Sequence, residues 1–568
     1  MTPLASPTGP LDINAGISLL DPIMSNSTIL PKPKALLFGL VFLAWMLPGL
    51  IGRDPWKADE AYTFGLVLNM VRSGDVVVPV LGTDPFMQKP PVFFITSTLL
   101  AKRFAPPLAL HEAARLSCFF YMALTLVFIA LASRELNGGG TGWVAALLLM
   151  GSVGLVHTAH MLQTDVSLLT GYTAALYGLL LARRRPWAGG LLCGTGTGLA
   201  FLSKGLLIPG TVGVTVLLLL LSRSWRGRSY CQLVGGIVLA VLPWVVIWPL
   251  ALHHRSPQLF MDWFWDNNIG RFIGQGPYTP LRATTRWYYV IRLPGFAWPV
   301  CPLALWALWK RRQQVFKEPK VQSVVVISVV LLAVLSNAFQ KRSLYATPLL
   351  TPLALLAVPA VMGLSERTAK ALNLAVVWLG STLAAVAWFG WVAQFTHWPA
   401  SVLERIQTAV PGYTPSLHGA AFAVALAATL GWIGLLAWRQ RQNSFLAAHW
   451  AGAVALLYLL GMTLWLPVTN GDMTYRHDFV GLREALGENP GLIGSRGLGE
   501  PQRAMLHYFA GLRPLREETR GKLDCRWMLI QGMDREGKRP ESPGPTWRLV
   551  WSGHHHRELF RLYHLAAS

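Results

Sequence analysis

The sequence predicts an all-α polytopic membrane protein with about thirteen transmembrane helices, interfacial helices in its first outer loop and a small C-terminal α/β domain on the outer side. Three observations predict it. Of 568 residues, 53% are hydrophobic and only 13% charged, well below the charged share of a soluble domain. The apolar residues are gathered into blocks of the roughly 17–25 residues that a bilayer crossing takes. After Pro467 the composition turns charged and is punctuated by Gly and Pro. An ordinary cytosolic enzyme, a disordered chain and a disulfide-stapled secreted scaffold are thereby excluded.

In chain order, residues 1–34 read as a disordered cytoplasmic lead-in: polar, rich in Pro and Ser, and without the early apolar core of a cleaved signal. The membrane part covers 35–467. Its spans are expected at 35–51, 113–132, 143–160, 166–182, 187–202, 205–221, 231–252, 294–309, 321–337, 345–363, 371–395, 418–438 and 446–467. Alternate ends carry Lys32 and Lys34, Arg134, Arg183–Arg185, Arg223, Arg226 and Arg228, Lys310–Arg312, Lys317 and Lys320, Arg367 and Lys370, and Arg439 and Arg441. Few acids accompany them, so the positive-inside rule puts these ends in the cytoplasm. The long loops 52–112 and 253–293 then lie outside, as does 468–568 after an odd number of spans. Within that tail, Trp527–Gly532 and Trp547–Ser552 look like short strands.

The formal net charge of +22 sits mostly in these short loops, where it sets topology; no nucleic-acid partner is expected. Cys118, Cys193, Cys231, Cys301 and Cys525 form no CxxC pair, which argues against a disulfide framework or a cysteine zinc site. Gly194–Gly198 resembles a nucleotide loop but lies inside a span with no strand before it, so it reads as small-residue helix packing. His554–His556 lacks a second ligand group at useful spacing.

Ionisable groups at membrane level are costly and mark function. Asp59, Glu60, Lys89, Asp165, Lys204, Arg271 and Lys341 all fall on the outer set of ends. Asp59 and Glu60 open an amphipathic stretch too polar to span, expected to lie in the interface; Asp59 either caps that helix or faces a substrate. Lys89 follows Gln88 and is stiffened by Pro90–Pro91. Asp165 opens a span, and Lys204 interrupts the apolar run between two others. Arg271 sits among aromatics, where its fork of donors suits a phosphate. Tyr345 lies just inside a span. Cations of this kind suit a phosphate or pyrophosphate leaving group on a lipid carrier, and the carboxylates suit activation of an acceptor hydroxyl.

The run Ala58–Phe94, ADEAYTFGLVLNMVRSGDVVVPVLGTDPFMQKPPVFF, resembles the first outer loop of the polyprenyl-phosphate-sugar-dependent membrane glycosyltransferases, which include lipid A aminoarabinose transferases and protein O-mannosyltransferases. TDVSLL, FLSKG, NNIGRF and SLYATPLLTPLALL follow in the same order. The resemblance covers about Ala35–Pro359; the later spans and tail match in general plan. It implies Asp59 and Asp165 as catalytic carboxylates, and Lys89, Arg271, Tyr345 and Lys204 as ligands of the carrier phosphate. Glu60, Gln88 and Lys341 are supporting candidates. The implied reaction is displacement at the anomeric carbon with inversion. The implied setting is a bacterial inner membrane, with active site and C-terminus periplasmic. Implied partners are a polyprenyl-phosphate sugar donor, a lipid, glycan or protein acceptor, and membrane lipids.

Two departures stand out. The family often has Arg-Tyr where this chain has Tyr62-Thr63. It often has Glu, which helps hold a divalent metal, where this chain has Gln88; a neutral amide is a poorer ligand for a dication, so no cofactor is assigned and a divalent metal is left open. The rival readings are a transporter of lipid-linked substrates, which predicts polar groups along a midplane path, and an inactive membrane scaffold.

Overall fold

The computed structural model describes residues 32–275, 285–437, 443–487, 491–533 and 541–566. The disorder expected of 1–34 falls outside them, apart from the start of the first helix at Lys32.

Each of the thirteen apolar blocks coincides with a helix or a bent helix pair. Among the described residues, seven helices are long and apolar enough to cross a membrane, and nine if each of two bent pairs counts as one span. Lys32–Met46 (α1) ends early because Pro48 follows it; a residue before proline is pushed out of the helical region.

Two blocks expected as straight spans are broken. Gly142–Met150 and Val153–His160 meet at 80°. The indole of Trp450 packs against Gly151 and donates to its carbonyl at 2.7 Å, taking an acceptor the helix would have used. Tyr288–Phe296 and Val300–Lys310 meet at 104° across Trp298–Pro299, where proline offers no amide.

Gly194, Gly196 and Gly198 serve helix packing, as their sequence predicts. Their helix Pro186–Lys204 (α2) lies so close to Thr164–Leu181 and Arg228–Arg255 that a Cβ on any of them would strike a neighbour.

The first long loop holds two helices, Asp59–Ser73 (α3) and Val92–Phe104 (α4), around a small hairpin of Val80–Leu81 with Asp84–Pro85. Eleven residues of α3 are buried. The expected helix is present, and the C-terminal region covers part of it. Gly65 faces Ala504 so closely that a Cβ there would stand 2.5 Å from the alanine methyl, and Phe64 packs edge-on against Tyr508.

The covering unit carries a five-stranded mixed sheet. Its strands are β1 (Ile493–Arg496), β2 (Leu515–Arg516), β3 (Trp527–Met533), β4 (Trp547–His555) and β5 (Glu558–Leu565), in the order β2-β1-β3-β5-β4. The first three pair in parallel and the last three antiparallel. Both strands expected from the sequence are present. Arg476 and Thr474 bind the carboxylate of Asp54, and the Asn470 side-chain oxygen accepts from the Asp54 amide at 3.1 Å and the Trp56 indole at 3.0 Å. The tail is thus tied to the residues just before Asp59.

Beneath that tie lies a buried ionic cluster. Glu60, Arg53 and Arg115 are each at most 1% exposed. Glu60 Oε1 accepts from Arg115 Nε at 2.7 Å, from Arg53 Nη2 at 3.0 Å and from the Leu162 amide at 3.3 Å, while Oε2 accepts from the Trp56 amide at 3.1 Å. Arg115, on the helix Leu110–Asn137 (α5), also donates to the carbonyls of Leu50, Arg53 and Asp54. Burial alone would raise the Glu60 carboxyl, but Arg115 and Arg53 hold it below its ordinary value.

Removing one partner of such a cluster strands charge in the interior and costs about 3–5 kcal/mol. Glu60→Gln should therefore lower the unfolding temperature of the detergent-solubilised protein sharply; unfolding at the wild-type temperature would remove the cluster from its structural role.

Candidate active site

Asp59 and Glu60 are the first two residues of α3 and point about 100° apart on it. Glu60 turns inward to Arg53 and Arg115. Asp59 turns to the other side, its carboxylate one-fifth exposed, and meets Arg342. Arg342 Nη2 donates to Oδ2 at 2.7 Å and Nη1 to Oδ1 at 3.4 Å, a two-pronged pair. Burial raises the Asp59 carboxyl, but the Arg342 hydrogen bond and the charges of Lys89, Arg342 and Lys204 bring it below its ordinary value. Burial opposes the charge of Arg342, but its hydrogen bond and charge pairing with Asp59 raise it above its own ordinary value.

Lys341, the supporting candidate from that segment, goes elsewhere. Its ammonium folds back and donates to the Ala338 carbonyl at 2.7 Å, at the carbonyl-rich end of the helix Pro319–Asn337, where a cation is favoured.

Tyr62 follows Asp59 by three positions and so shares its face of α3. Its hydroxyl accepts from Lys89 Nζ at 2.6 Å, and the ammonium stands 5.1 Å from the ring centre. Lys89 reaches it because the hairpin turns the chain at Gly82, whose φ of +66° suits glycine, and Pro90–Pro91 then start α4.

Asp165 lies in the first turn of Thr164–Leu181 and is 2% exposed. It pairs with Lys204, the last residue of α2, and that ammonium also lies 4.2 Å from the ring centre of Tyr345. Arg271 follows the π-helical turn Asp262–Gly270. It donates to the Gln340 side-chain oxygen at 3.0 Å and to that of Gln88 at 3.5 Å.

Gln88 in turn donates to Glu500 at 2.6 Å. Glu500 opens the short helix Glu500–Met505 of the C-terminal unit. Burial raises its carboxyl above its ordinary value against the pull of Arg503, Lys89, Gln88 and Arg271.

The sequence-predicted residues Asp59, Lys89, Asp165, Lys204, Arg271, Tyr345 and Gln88 thus come together through two contact chains and shared fields. Arg342, Tyr62, Gln340 and Glu500 join them without having been foreseen. A three-residue offset from Asp59 marks Tyr62 in hindsight, whereas Glu500 carries no local signal.

Four cations face three carboxylates. Asp59 and Asp165 are each matched by one cation. Among the described residues Lys89 and Arg271 form no ion pair and are held by neutral groups, an arrangement that attracts an anion. Where a metal-holding Glu was expected by resemblance stands the amide of Gln88. Among the described residues the carboxylate bonded to it is that of Glu500, with Arg271 and Lys89 nearby. Among the described residues no group of three His, Cys, Asp or Glu is placed to hold a metal ion; one carboxylate and one amide flanked by cations do not fit a dication.

Residues 88–248 match the protein family described as dolichyl-phosphate-mannose-protein mannosyltransferase. Over 467 residues the chain is 25% identical to the undecaprenyl phosphate-alpha-4-amino-4-deoxy-L-arabinose arabinosyl transferase of Yersinia enterocolitica, covering 78% of each protein. The crystal structure of ArnT from Cupriavidus metallidurans in the apo state matches with a TM-score of 0.69 at 18% identity, over 94% of this chain and 98% of that one. The same protein bound to undecaprenyl phosphate matches with a TM-score of 0.66 at 17% identity and the same coverage. The resemblance to polyprenyl-phosphate-sugar glycosyltransferases is borne out, and the likeness in fold extends past Pro359 into the C-terminal part.

A carboxyl raised in the folded state binds its proton more tightly there than in the unfolded chain. Its contribution to stability is therefore lost as pH rises through the folded value. Glu500→Gln, which mimics the protonated form, should raise the unfolding temperature at about pH 8 and leave it unchanged near pH 4. Scanning fluorimetry reads both; no gain at the higher pH would contradict the buried, raised carboxyl.

Proposed function

We propose that this chain is a multi-pass membrane glycosyltransferase that moves a sugar from undecaprenyl phosphate to an acceptor such as lipid A, another glycan or a protein. The sugar is aminoarabinose-like or a hexose, and the anomeric configuration inverts. The reading places the enzyme in a bacterial inner membrane with thirteen spans, and with active site and C-terminal domain in the periplasm. The observation that carries it is the convergence of Lys89, Arg271, Lys204, Asp59 and Asp165, from five separate segments, at helix ends and connections.

Lys89 and Arg271 grip the donor's phosphate, since among the described residues neither forms an ion pair and both are held by neutral groups. The Tyr345 hydroxyl adds a donor, and its ring steadies the Lys204 ammonium. Lys204 pairs with Asp165 in a nearly dry position, where the pair orders the sugar side of the site. Asp59 accepts the acceptor's proton as its oxygen attacks the anomeric carbon. The C1–O bond breaks on the opposite face, and the electron pair leaves with the phosphate, whose growing charge Lys89 and Arg271 neutralise. No metal enters this sequence. Because the polar groups gather at helix ends, a midplane transport path is the weaker reading.

In purified, folded protein Asp59→Asn should cut transfer about 10²- to 10⁴-fold, the usual share of a general base. Lys89→Ala and Arg271→Ala should each raise the donor KM about tenfold, as loss of a charge-assisted hydrogen bond does. Near-normal turnover in Asp59→Asn, or an unmoved donor KM in both cation variants, would refute these roles.

A further inference from the structure

Asp59 as a proton acceptor poses a problem in the ligand-free protein. A carboxylate gripped by both arms of a guanidinium is a poor base, and the field around Asp59 already holds its proton affinity low. Something has to remove that guanidinium before the carboxylate can take a proton.

Arg342 is suited to move. Its side chain is about half exposed, against one-fifth for Asp59. It lies in extended backbone immediately before the short 3-10 turn Ser343–Leu349, outside any helix. Its backbone is held separately, the carbonyl accepting from the Tyr289 hydroxyl at 3.1 Å. The groups whose fields reach it are Asp59, Tyr345 and Tyr62. Tyr62 is the partner of Lys89, and Tyr345 is the partner of Lys204. Tyr62 lies three residues after Asp59 and Tyr345 three after Arg342, so the Asp59–Arg342 pair stands beside the residues that hold Lys89 and Lys204.

We propose that Arg342 is a positioning residue shared between two anions: in the ligand-free protein it holds Asp59, and the phosphate of an arriving polyprenyl-phosphate donor draws it off and frees the carboxylate. This rests on the glycosyltransferase reading above and adds to it a coupling between donor occupancy and base strength.

The charge balance of the reaction favours this exchange. Before transfer, Asp59 and the donor phosphodiester each carry one negative charge, and the acceptor hydroxyl is neutral. The acceptor oxygen forms its bond to the anomeric carbon, its proton passes to Asp59, and the broken C1–O bond leaves its electron pair on the phosphate. Afterwards Asp59 is neutral and the carrier phosphate is a dianion, so the total is unchanged. One unit of negative charge has in effect crossed from carboxylate to phosphate, and a guanidinium within reach of both follows it. A fixed cation on Asp59 would oppose the same transfer. A base that is freed only when donor is bound is also a weaker base in the empty site.

The test is a double-mutant cycle on the binding of undecaprenyl phosphate to full-length protein in nanodiscs, with wild type, Asp59→Asn, Arg342→Gln and the double variant. Arg342→Gln should weaken binding about tenfold, the loss of one charge-assisted contact. Asp59→Asn should tighten it, because the guanidinium is already released. In the Arg342→Gln background that gain should largely vanish. An equal gain in both backgrounds would mean that Asp59 simply repels the phosphate, and would overturn the exchange; so would unchanged binding in Arg342→Gln.

A second readout is the pH dependence of turnover. In wild type the acid limb of kcat, set in the donor complex, should lie at higher pH than that of kcat/KM, set in the free enzyme. In Arg342→Gln the two limbs should coincide. Coincident limbs in wild type would also overturn the proposal. Non-additive binding without any sugar transfer would instead refute the glycosyltransferase reading and leave the exchange standing.

Discussion

The arrangement depends on one buried carboxylate. Glu60 binds Arg53 from the chain that enters the first loop, Arg115 from α5, and the amide of Leu162 from the turn before Thr164–Leu181. Asp59 is its neighbour in sequence, and Asp165 follows Leu162 by three residues. A single ionised group, itself out of reach of solvent, thus fixes the starting points of both candidate catalytic carboxylates. Two buried guanidiniums balance its charge, and five backbone carbonyls, of Gly49, Leu50, Arg53, Asp54 and His160, accept from those guanidiniums. The cluster works as a joint between loop and bundle, and the C-terminal unit locks it from outside through Asp54 and Arg476.

On that joint the site follows a simple electrostatic division. The two aspartates each have one cation: Arg342 for Asp59, Lys204 for Asp165. Lys89 and Arg271 are held instead by the neutral oxygens of Tyr62, Gln340 and Gln88. Neutral tethers aim a cation without spending its charge. Glu500 brings a carboxylate from the other end of the chain to the same amide that Arg271 touches, so the C-terminal unit joins the site as well as covering α3.

Much of this was legible in the sequence, for physical reasons that can be named. Bilayer crossing demands apolar length, so the thirteen blocks announced themselves. Breaks inside blocks did not, because the bend at Gly151 comes from Trp450, 299 residues away in sequence. Asp59, Lys89, Asp165, Lys204 and Arg271 stood out as charges that topology had no use for. Choosing between neighbours was harder. Asp59-Glu60 and Lys341-Arg342 are pairs of like charge, and only the packing decides which member turns to the chamber. Arg115 lies at the edge of the block 113–132 and Glu500 in a charged tail, and neither carries a local signal of its role.

The most direct measurement is the fate of the carrier when purified protein in lipid vesicles is given an undecaprenyl-phosphate sugar and an acceptor. Mass spectrometry should find free undecaprenyl phosphate and glycosylated acceptor appearing in equal amounts. Donor that crosses the bilayer intact, with its sugar–phosphate bond never broken, would contradict the account.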